Sequence, residues 1–180
     1  MAFIVPYHLL EGRISTILNA GNGLYGNFSL KKGERAYVPF FGIVYTFENL
    51  QILNKWNGQK KKKNVYNAYF VDTVDPLKKI YGIVDGKPII SALANMSTSR
   101  RWKNNAVFCY FTEEERGAFT ETDMKNLESY PYAVPFMKNH FELLTFLEIT
   151  GPFKKAQEIL CDYNPGLTRR FKPYAPPTPR

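Results

Sequence analysis

The sequence predicts a single mainly-β domain with a few short helices. Short runs rich in β-branched and aromatic residues recur along the chain, and each run is bounded by glycine, proline, asparagine or aspartate. Helical periodicity is scarce, and the runs that favour a helix are all short. Strands are predicted at 13–18, 35–45, 68–74, 80–84, 106–111 and 143–149.

Turn signals separate these strands, because glycine and asparagine allow positive φ and proline fixes φ. The predicted turns are 19–26, 31–33, 85–88 and 151–152. The predicted helices are 48–55, 87–95 and 121–129. Thr120 and Thr122 offer N-caps to the last helix, ahead of acidic residues.

Composition excludes several classes of protein. The 180 residues are 44% hydrophobic and 16% aromatic, which is far from the composition of a disordered chain. Lys plus Arg is 24 against 16 Asp plus Glu, so the formal net charge is +8. Only Cys109 and Cys161 are cysteines, which excludes a disulfide framework and a zinc site of three or four thiolates. His8 and His140 have no partners at ligand spacing, so we expect no metal site.

Targeting signals are scarce. No stretch approaches the roughly 20 apolar residues that span a bilayer, and the first ten residues have neither a basic start nor a long apolar run. We therefore expect an intracellular protein with no membrane partner. It would be cytoplasmic or, if the lysine run Lys60–Lys63 is a localisation signal, nuclear.

Three separated motifs stand out against this background. They are AGNGLYG at 20–26 with KKGE at 31–34, ANMS at 94–97 with NNAVF at 104–108, and EI at 148–149 with FKKAQEILCDY at 153–163. Their order and spacing resemble the SET-domain protein lysine methyltransferases. In that family a G-x-G-L-x turn precedes x-K-K-G-E, a central N-H-S-C-x-P-N-A element precedes a strand, and I-K-x-G-E-E-L-x-x-D-Y closes the domain.

The resemblance implies a SET-type fold, a β-clip of small curved sheets whose C-terminal segment threads beneath a loop as a pseudoknot. The central and C-terminal motifs would then be neighbours. Residues 1–165 would form the catalytic domain, with a variable insert at 47–79 that helps to shape the substrate groove and a second insertion at 112–138. Residues 166–180 would form a basic, proline-rich tail.

The resemblance also implies the activity. Enzymes of this family transfer a methyl group from S-adenosylmethionine to a lysine ε-amine of a protein, and histone tails are common substrates. Cofactor and substrate meet through a narrow channel, where in-line placement and exclusion of water lower the barrier. An aromatic lining suits such a channel because π faces tolerate cationic sulfonium and methylammonium groups.

Particular residues inherit roles from the matched motifs. Tyr163 would be the catalytic residue, with its phenol orienting the attacking amine or the transferred methyl group. Asn95 would contact the cofactor through its side-chain amide. Phe171 or Tyr174 of the tail could cover the adenine in place of a zinc-bound closing segment. The residues implied at the cofactor are Gly21, Gly23, Leu24, Tyr25, Asn95, Met96 and Phe171.

Several residues depart from the family pattern. Met96 stands where the family has histidine, and its thioether would pack on the adenine. The Cys-x-Pro that normally follows Ser97 is replaced by the basic segment 98–103. Ala156 and Asn164 stand where the family has glycine. These departures favour a second hypothesis, a SET-like domain that binds peptide without catalysis.

The charge excess favours a third hypothesis, a nucleic-acid or chromatin-binding module. Lysine and arginine side chains would contact phosphates, and an aromatic ring would stack on bases. The residues that would do so are Lys60–Lys63, Arg100, Arg101 and Lys103 for phosphates, and Trp102 or Tyr66 for bases. The motifs rank the enzyme first.

Overall fold

The computed structural model describes residues 2–50 and 69–169. In this part of the chain short strands form several small sheets, with a few short helices between them, so the predicted mainly-β class is confirmed. The described strands are β1 (Ala2–Ile4), β2 (Leu10–Ile14), β3 (Asn22–Gly26), β4 (Arg35–Pro39), β5 (Ile43–Thr46), β6 (Phe70–Asp72), β7 (Lys78–Tyr81), β8 (Ile83–Val84), β9 (Lys87–Pro88), β10 (Ala106–Tyr110), β11 (Thr145–Thr150), β12 (Gln157–Ile159) and β13 (Cys161–Arg169).

Helices occupy the chain between β10 and β11. They are α1 (Glu113–Gly117), α2 (Glu121–Glu128) and α3 (Ala133–His140). Single 3-10 turns are formed by Tyr7–Leu9, Ile90–Leu93 and Phe141–Leu143. Residues 47–50 are also helical, and the rest of the predicted helix 48–55 lies outside the described residues. No helix in the described ranges is long and apolar enough to cross a membrane.

The main sheet has the strand order β1-β4-β11-β10-β13. The strand β11 lies at its centre, and every residue from Thr145 to Ile149 is buried because the sheet is covered on both faces. Tyr37, Phe111 and Phe146 form an aromatic cluster there, with ring centroids 5.0 Å apart for Tyr37–Phe111 and 4.6 Å for Phe111–Phe146. This sheet is the frame on which the other elements pack.

Three smaller sheets surround the main one. The antiparallel sheet β12-β3-β2 brings the C-terminal motif against the glycine-rich segment, and the antiparallel sheet β5-β7-β6 is built partly from the predicted insert 47–79. Strands β8 and β9 form a two-stranded ribbon. Residues 51–68 of the insert, including Lys60–Lys63, lie outside the described residues.

Two local predictions are wrong. The predicted helix 87–95 is instead β9 followed by a 3-10 turn, because Pro88 lacks an N–H and disfavours helical φ/ψ at the residue before it. The predicted turn 19–26 is shorter. Only Asn19 and Gly21 have positive φ, and the chain then forms β3, where Gly26 leaves room for the ring of Phe28.

The second insertion, 112–138, is helical in the structure. Thr112 and Glu115 form a capping box at α1, and Thr120 and Asp123 form another at α2. Thr120 is therefore the N-cap of the predicted helix 121–129. Tyr130 follows α2 and donates from its hydroxyl to the carbonyl of Val5 at 2.6 Å, which ties the helices to the end of β1.

Ala156 adopts an unusual backbone conformation in the turn between β11 and β12. Its φ is +65°, in the left-handed region where a β-carbon costs about 1–2 kcal/mol. Its N–H nevertheless donates to the carbonyl of Gly26 at 2.8 Å, so the turn holds this conformation against β3. Glycine at this position would keep the bond without the steric cost.

We therefore expect Ala156→Gly to raise the free energy of unfolding by about 0.5–1 kcal/mol, since relief of strain exceeds the entropy that glycine adds to the unfolded chain. Denaturant unfolding measures this difference. The control is Ala118→Gly, because Ala118 is exposed with φ −89° and its replacement should lower stability. Destabilisation of similar size by both changes would contradict the expectation.

Candidate functional site

A bulge in β13 positions Tyr163. Along the parallel pair, Val107 lies opposite Asp162, whereas the next residue, Phe108, lies opposite Leu167. The segment Tyr163–Gly166 is therefore left out of the ladder with β10 and projects from the sheet. Pro165 cannot donate to a ladder, and Gly166 has φ +66°, so the local sequence suits this break.

Three contacts hold Tyr163 in place. Its hydroxyl donates to the carbonyl of Ala94, its ring stacks on Phe108 with centroids 6.0 Å apart, and its backbone N–H points at the Met96 sulfur at 3.3 Å. Burial raises the pKa of the Tyr163 phenol to about 12, with smaller contributions from Cys161 and Tyr69. The phenol is therefore neutral at physiological pH and acts as a hydrogen-bond donor.

Tyr163 borders a cleft with a volume of about 390 Å³. The cleft lies between the bulge of β13 and the sheet β5-β7-β6, so the described end of the predicted insert 47–79 forms one of its walls. Asp72 and Lys79 form an ion pair of 2.5 Å at this wall. The aromatic side chains that line the cleft are Phe40, Tyr69, Phe70, Phe108 and Tyr163.

The glycine-rich segment is fixed by Glu158 of β12. The buried Glu158 carboxylate accepts hydrogen bonds from Ser15 Oγ at 2.7 Å and Thr16 N at 2.8 Å, and from the Thr16 hydroxyl. A β-carbon at Gly23 would lie 2.1 Å from Glu158 Oε1, so this carboxylate requires a glycine there. Gly21 has φ +73° and faces open space.

A second concavity, about 520 Å³ in volume, lies beside this segment. Arg13, Ile14, Asn22 and Tyr25 line it, and the Arg13 guanidinium carbon lies 4.4 Å from the centroid of the Tyr25 ring. The Tyr25 hydroxyl donates to the carbonyl of Ile14 at 2.7 Å, and burial followed by the negative charge of Glu158 raises its pKa. Leu24, in contrast, is fully buried in the core.

The central motif lies between the two concavities. Asn95 donates from its side-chain amide to the carbonyl of Asn22 at 3.0 Å, and the adjacent Ala94 accepts from the hydroxyl of Tyr163. The carbonyl of Asn95 in turn accepts from the N–H of Cys161 at 2.8 Å. The structure thus brings the three sequence motifs together at one place, as the sequence analysis expects for the central and C-terminal motifs.

Asn105 has no predicted role, yet it locks the C-terminal motif in place. Its side-chain amide donates to the carbonyl of Glu158 at 2.9 Å, and its side-chain oxygen accepts from the N–H of Leu160 at 3.0 Å. One asparagine side chain therefore satisfies both a donor and an acceptor of a neighbouring backbone. The signal in the sequence is the pair Asn104-Asn105 immediately before a strand.

The remaining predicted residues have different outcomes. Both cysteines are buried, and burial raises the pKa of the Cys161 thiol. Phe171 and Tyr174 lie outside the described residues. The strand β13 extends to Arg169, past the predicted domain boundary at 165. Within the described ranges, no group of three or more histidine, cysteine or acidic residues is placed to hold a metal ion.

Comparison with known proteins adds no assignment. No protein-family model matches the chain, and the search of curated proteins finds no match.

We expect Asn105→Ala to lower the free energy of unfolding by roughly 2–4 kcal/mol, because it leaves Leu160 N and the Glu158 carbonyl without their partner. Asn105→Asp keeps the acceptor for Leu160 N but turns a negative oxygen toward the Glu158 carbonyl, so it should also lower stability. Asn139→Ala is the control, since Asn139 makes a single exposed bond to the carbonyl of Pro135. Equal losses at positions 105 and 139 in denaturant unfolding would contradict the role given to Asn105.

Proposed function

We propose that this protein is an S-adenosylmethionine-dependent protein lysine methyltransferase with a SET-type fold, and that Tyr163 is its catalytic residue. One observation carries the proposal. The segment 94–96 contacts Tyr163, which borders the aromatic cleft, and also contacts Asn22, which borders the second concavity. A methyl transferase of this kind needs separate cofactor and substrate sites that meet at one side chain.

The chain path supports the SET-type pseudoknot. Strand β13 runs parallel to β10, and the segment before it bonds both to β3 and to the central motif through Asn95 and Asn105. The C-terminal segment therefore enters between elements that are far earlier in the sequence. Ala156 adds support, because it holds the positive φ that the glycine at this motif position would adopt.

The concavity beside β3 suits the cofactor. The Arg13 guanidinium, at its rim, offers donors to a carboxylate such as that of the methionine moiety. Gly21 leaves open space at the turn, which permits close approach of a ligand to the backbone. Asn95 and Met96 contact Asn22 and Tyr163 at the same junction, and Phe171 would close the site from the tail. Leu24 supports it from the core.

The reaction asks little of acid or base groups. Bound S-adenosylmethionine would supply a methyl group activated by its sulfonium, for direct transfer to the neutral amine of the substrate. Tyr163, held by Ala94 and Phe108, orients the groups at the junction. The aromatic walls of the cleft exclude water and accommodate the cationic methylammonium product.

The cleft supports a protein lysine as substrate. It opens to solvent, aromatic side chains line it, and its charged residues Asp72 and Lys79 pair with each other, so the cleft carries no net charge. A histone tail is the substrate class that we propose to test first. Calorimetry with S-adenosylmethionine is the primary test, and absence of binding heat would overturn the proposed function.

We expect Tyr163→Phe to slow methyl transfer by about tenfold to hundredfold while leaving cofactor affinity nearly unchanged, because it removes one hydroxyl that orients the reactants. The measurement is transfer of a labelled methyl group to histones and cell lysate. Tyr132→Phe is the matched control, since Tyr132 is exposed and its hydroxyl contacts Asp85 at 3.3 Å. Activity of Tyr163→Phe equal to that of the control would remove Tyr163 from the mechanism.

The raised pKa of Tyr163 predicts the pH dependence of the rate. Between about pH 7 and about pH 10 the phenol stays protonated while the substrate amine loses its proton, so the rate should rise throughout. The free energy of unfolding depends on pH in the opposite direction, because it falls as the pH rises. The contribution of Tyr163 is complete below about pH 10, where an unfolded tyrosine ionises, and is lost toward about pH 12. A fall in rate below about pH 10 that Tyr163→Phe abolishes would contradict this assignment.

A further inference from the structure

Three loops meet at one end of the main sheet. Ile149 pairs with Ala36 on one side and with Ala106 on the other. The start of β4, the end of β11 and the start of β10 therefore lie side by side. The loops 27–34 and 151–156 are joined by paired hydrogen bonds between Leu30 and Phe153, of 2.8 and 2.9 Å. The loop 98–105 joins them through Asn105, whose carbonyl accepts from Thr150 N at 3.0 Å.

These loops carry an excess of positive charge. We call this surface the basic end, and its cationic residues are Lys31, Lys32, Arg100, Arg101, Lys103, Lys154 and Lys155. All of them are exposed, and within the described ranges no salt bridge involves any of them. The same loops carry fewer acidic groups: the Glu34 carboxylate accepts from Lys31 N at 2.7 Å, and the buried Glu148 and Glu158 accept from Tyr37 and Ser15. The basic end therefore presents its charge to a partner.

An aromatic ring lies within the same surface. Trp102 stands between two basic residues in the chain, its exposed fraction is 38%, and the guanidinium carbon of Arg101 lies 5.2 Å from its ring centroid. An indole flanked by cations matches a stacking platform for an unpaired base.

A cleft of about 570 Å³ lies beside the basic end, and its charged lining residues are Lys103, Glu148 and Asp162. The amides that line it, Asn104 and Asn105, already have protein partners. Because two carboxylates line the cleft, the contacts to phosphates belong to the exposed cations of the surrounding loops and not to the cleft itself. Such contacts favour recognition of a phosphate backbone over recognition of base edges.

We propose that the basic end binds single-stranded nucleic acid, with its lysines at phosphates and Trp102 stacked on a base. The site is separate from the aromatic cleft, which lies on the other side of Tyr163 against the sheet β5-β7-β6. Nucleic-acid binding needs no methyl transfer, so an experiment can reject this inference without rejecting the proposed function, and the reverse also holds. It also gives a location to much of the formal net charge of +8.

The test is fluorescence anisotropy with a labelled single strand of about 20 nucleotides and the matching duplex, over a series of salt concentrations. The full chain is used. The variant Lys32→Gln/Lys154→Gln/Lys155→Gln should bind the single strand at least tenfold more weakly, and the slope of log K against log salt should decrease by about two. Trp102→Ala should weaken single-strand binding about tenfold and leave duplex binding unchanged.

The matched control is Lys87→Gln/Lys125→Gln/Lys138→Gln, which removes the same charge from exposed lysines on β9, α2 and α3. It should bind almost as the unaltered protein does. An equal loss in both triple variants means non-specific attraction to net charge and overturns the proposal. The proposal also fails if the duplex binds as tightly as the single strand and Trp102→Ala affects neither.

Discussion

The side-chain amide of Asn105 is the contact on which the arrangement of the site depends. It holds the backbone of Glu158 and Leu160, and through them it fixes β12 against β3 and the start of β13 against the central motif. The carboxylate of Glu158 then orders the segment before the glycine turn. The bond from Asn95 to the carbonyl of Asn22 joins the central motif to the glycine-rich segment. Two asparagine amides therefore connect the segments that border the two concavities.

The aromatic cleft and the basic end differ in exposure and charge. Around Tyr163 aromatic rings line the cleft, and burial keeps the hydroxyl protonated. At the basic end, charge is exposed on loops, where it stays hydrated. Adjacent residues of β10 border the two surfaces, since Phe108 lines the aromatic cleft and Val107 lines the cleft beside the basic end. One small domain therefore carries an aromatic cleft and a highly solvated surface side by side.

Part of this structure could be predicted from the sequence, and part could not. The mainly-β class follows from the short strand patterns, and the helix after Thr120 follows from its cap. The capping pattern Thr112-x-x-Glu115 was an equally readable signal for α1. The bulge at Tyr163 was not readable, because register depends on pairing with β10, which is remote in sequence. The same holds for Asn105, whose partners lie more than fifty positions away.

The bulge of β13 has a consequence for how this site can vary. Because Tyr163–Gly166 pairs with nothing in β10, residues added to or removed from that segment would change the reach of the phenol while both flanking ladders keep their register. The position of the Tyr163 phenol and the integrity of the sheet are thereby decoupled. Insertions or deletions in this segment would change the depth of the cleft without repacking of the core.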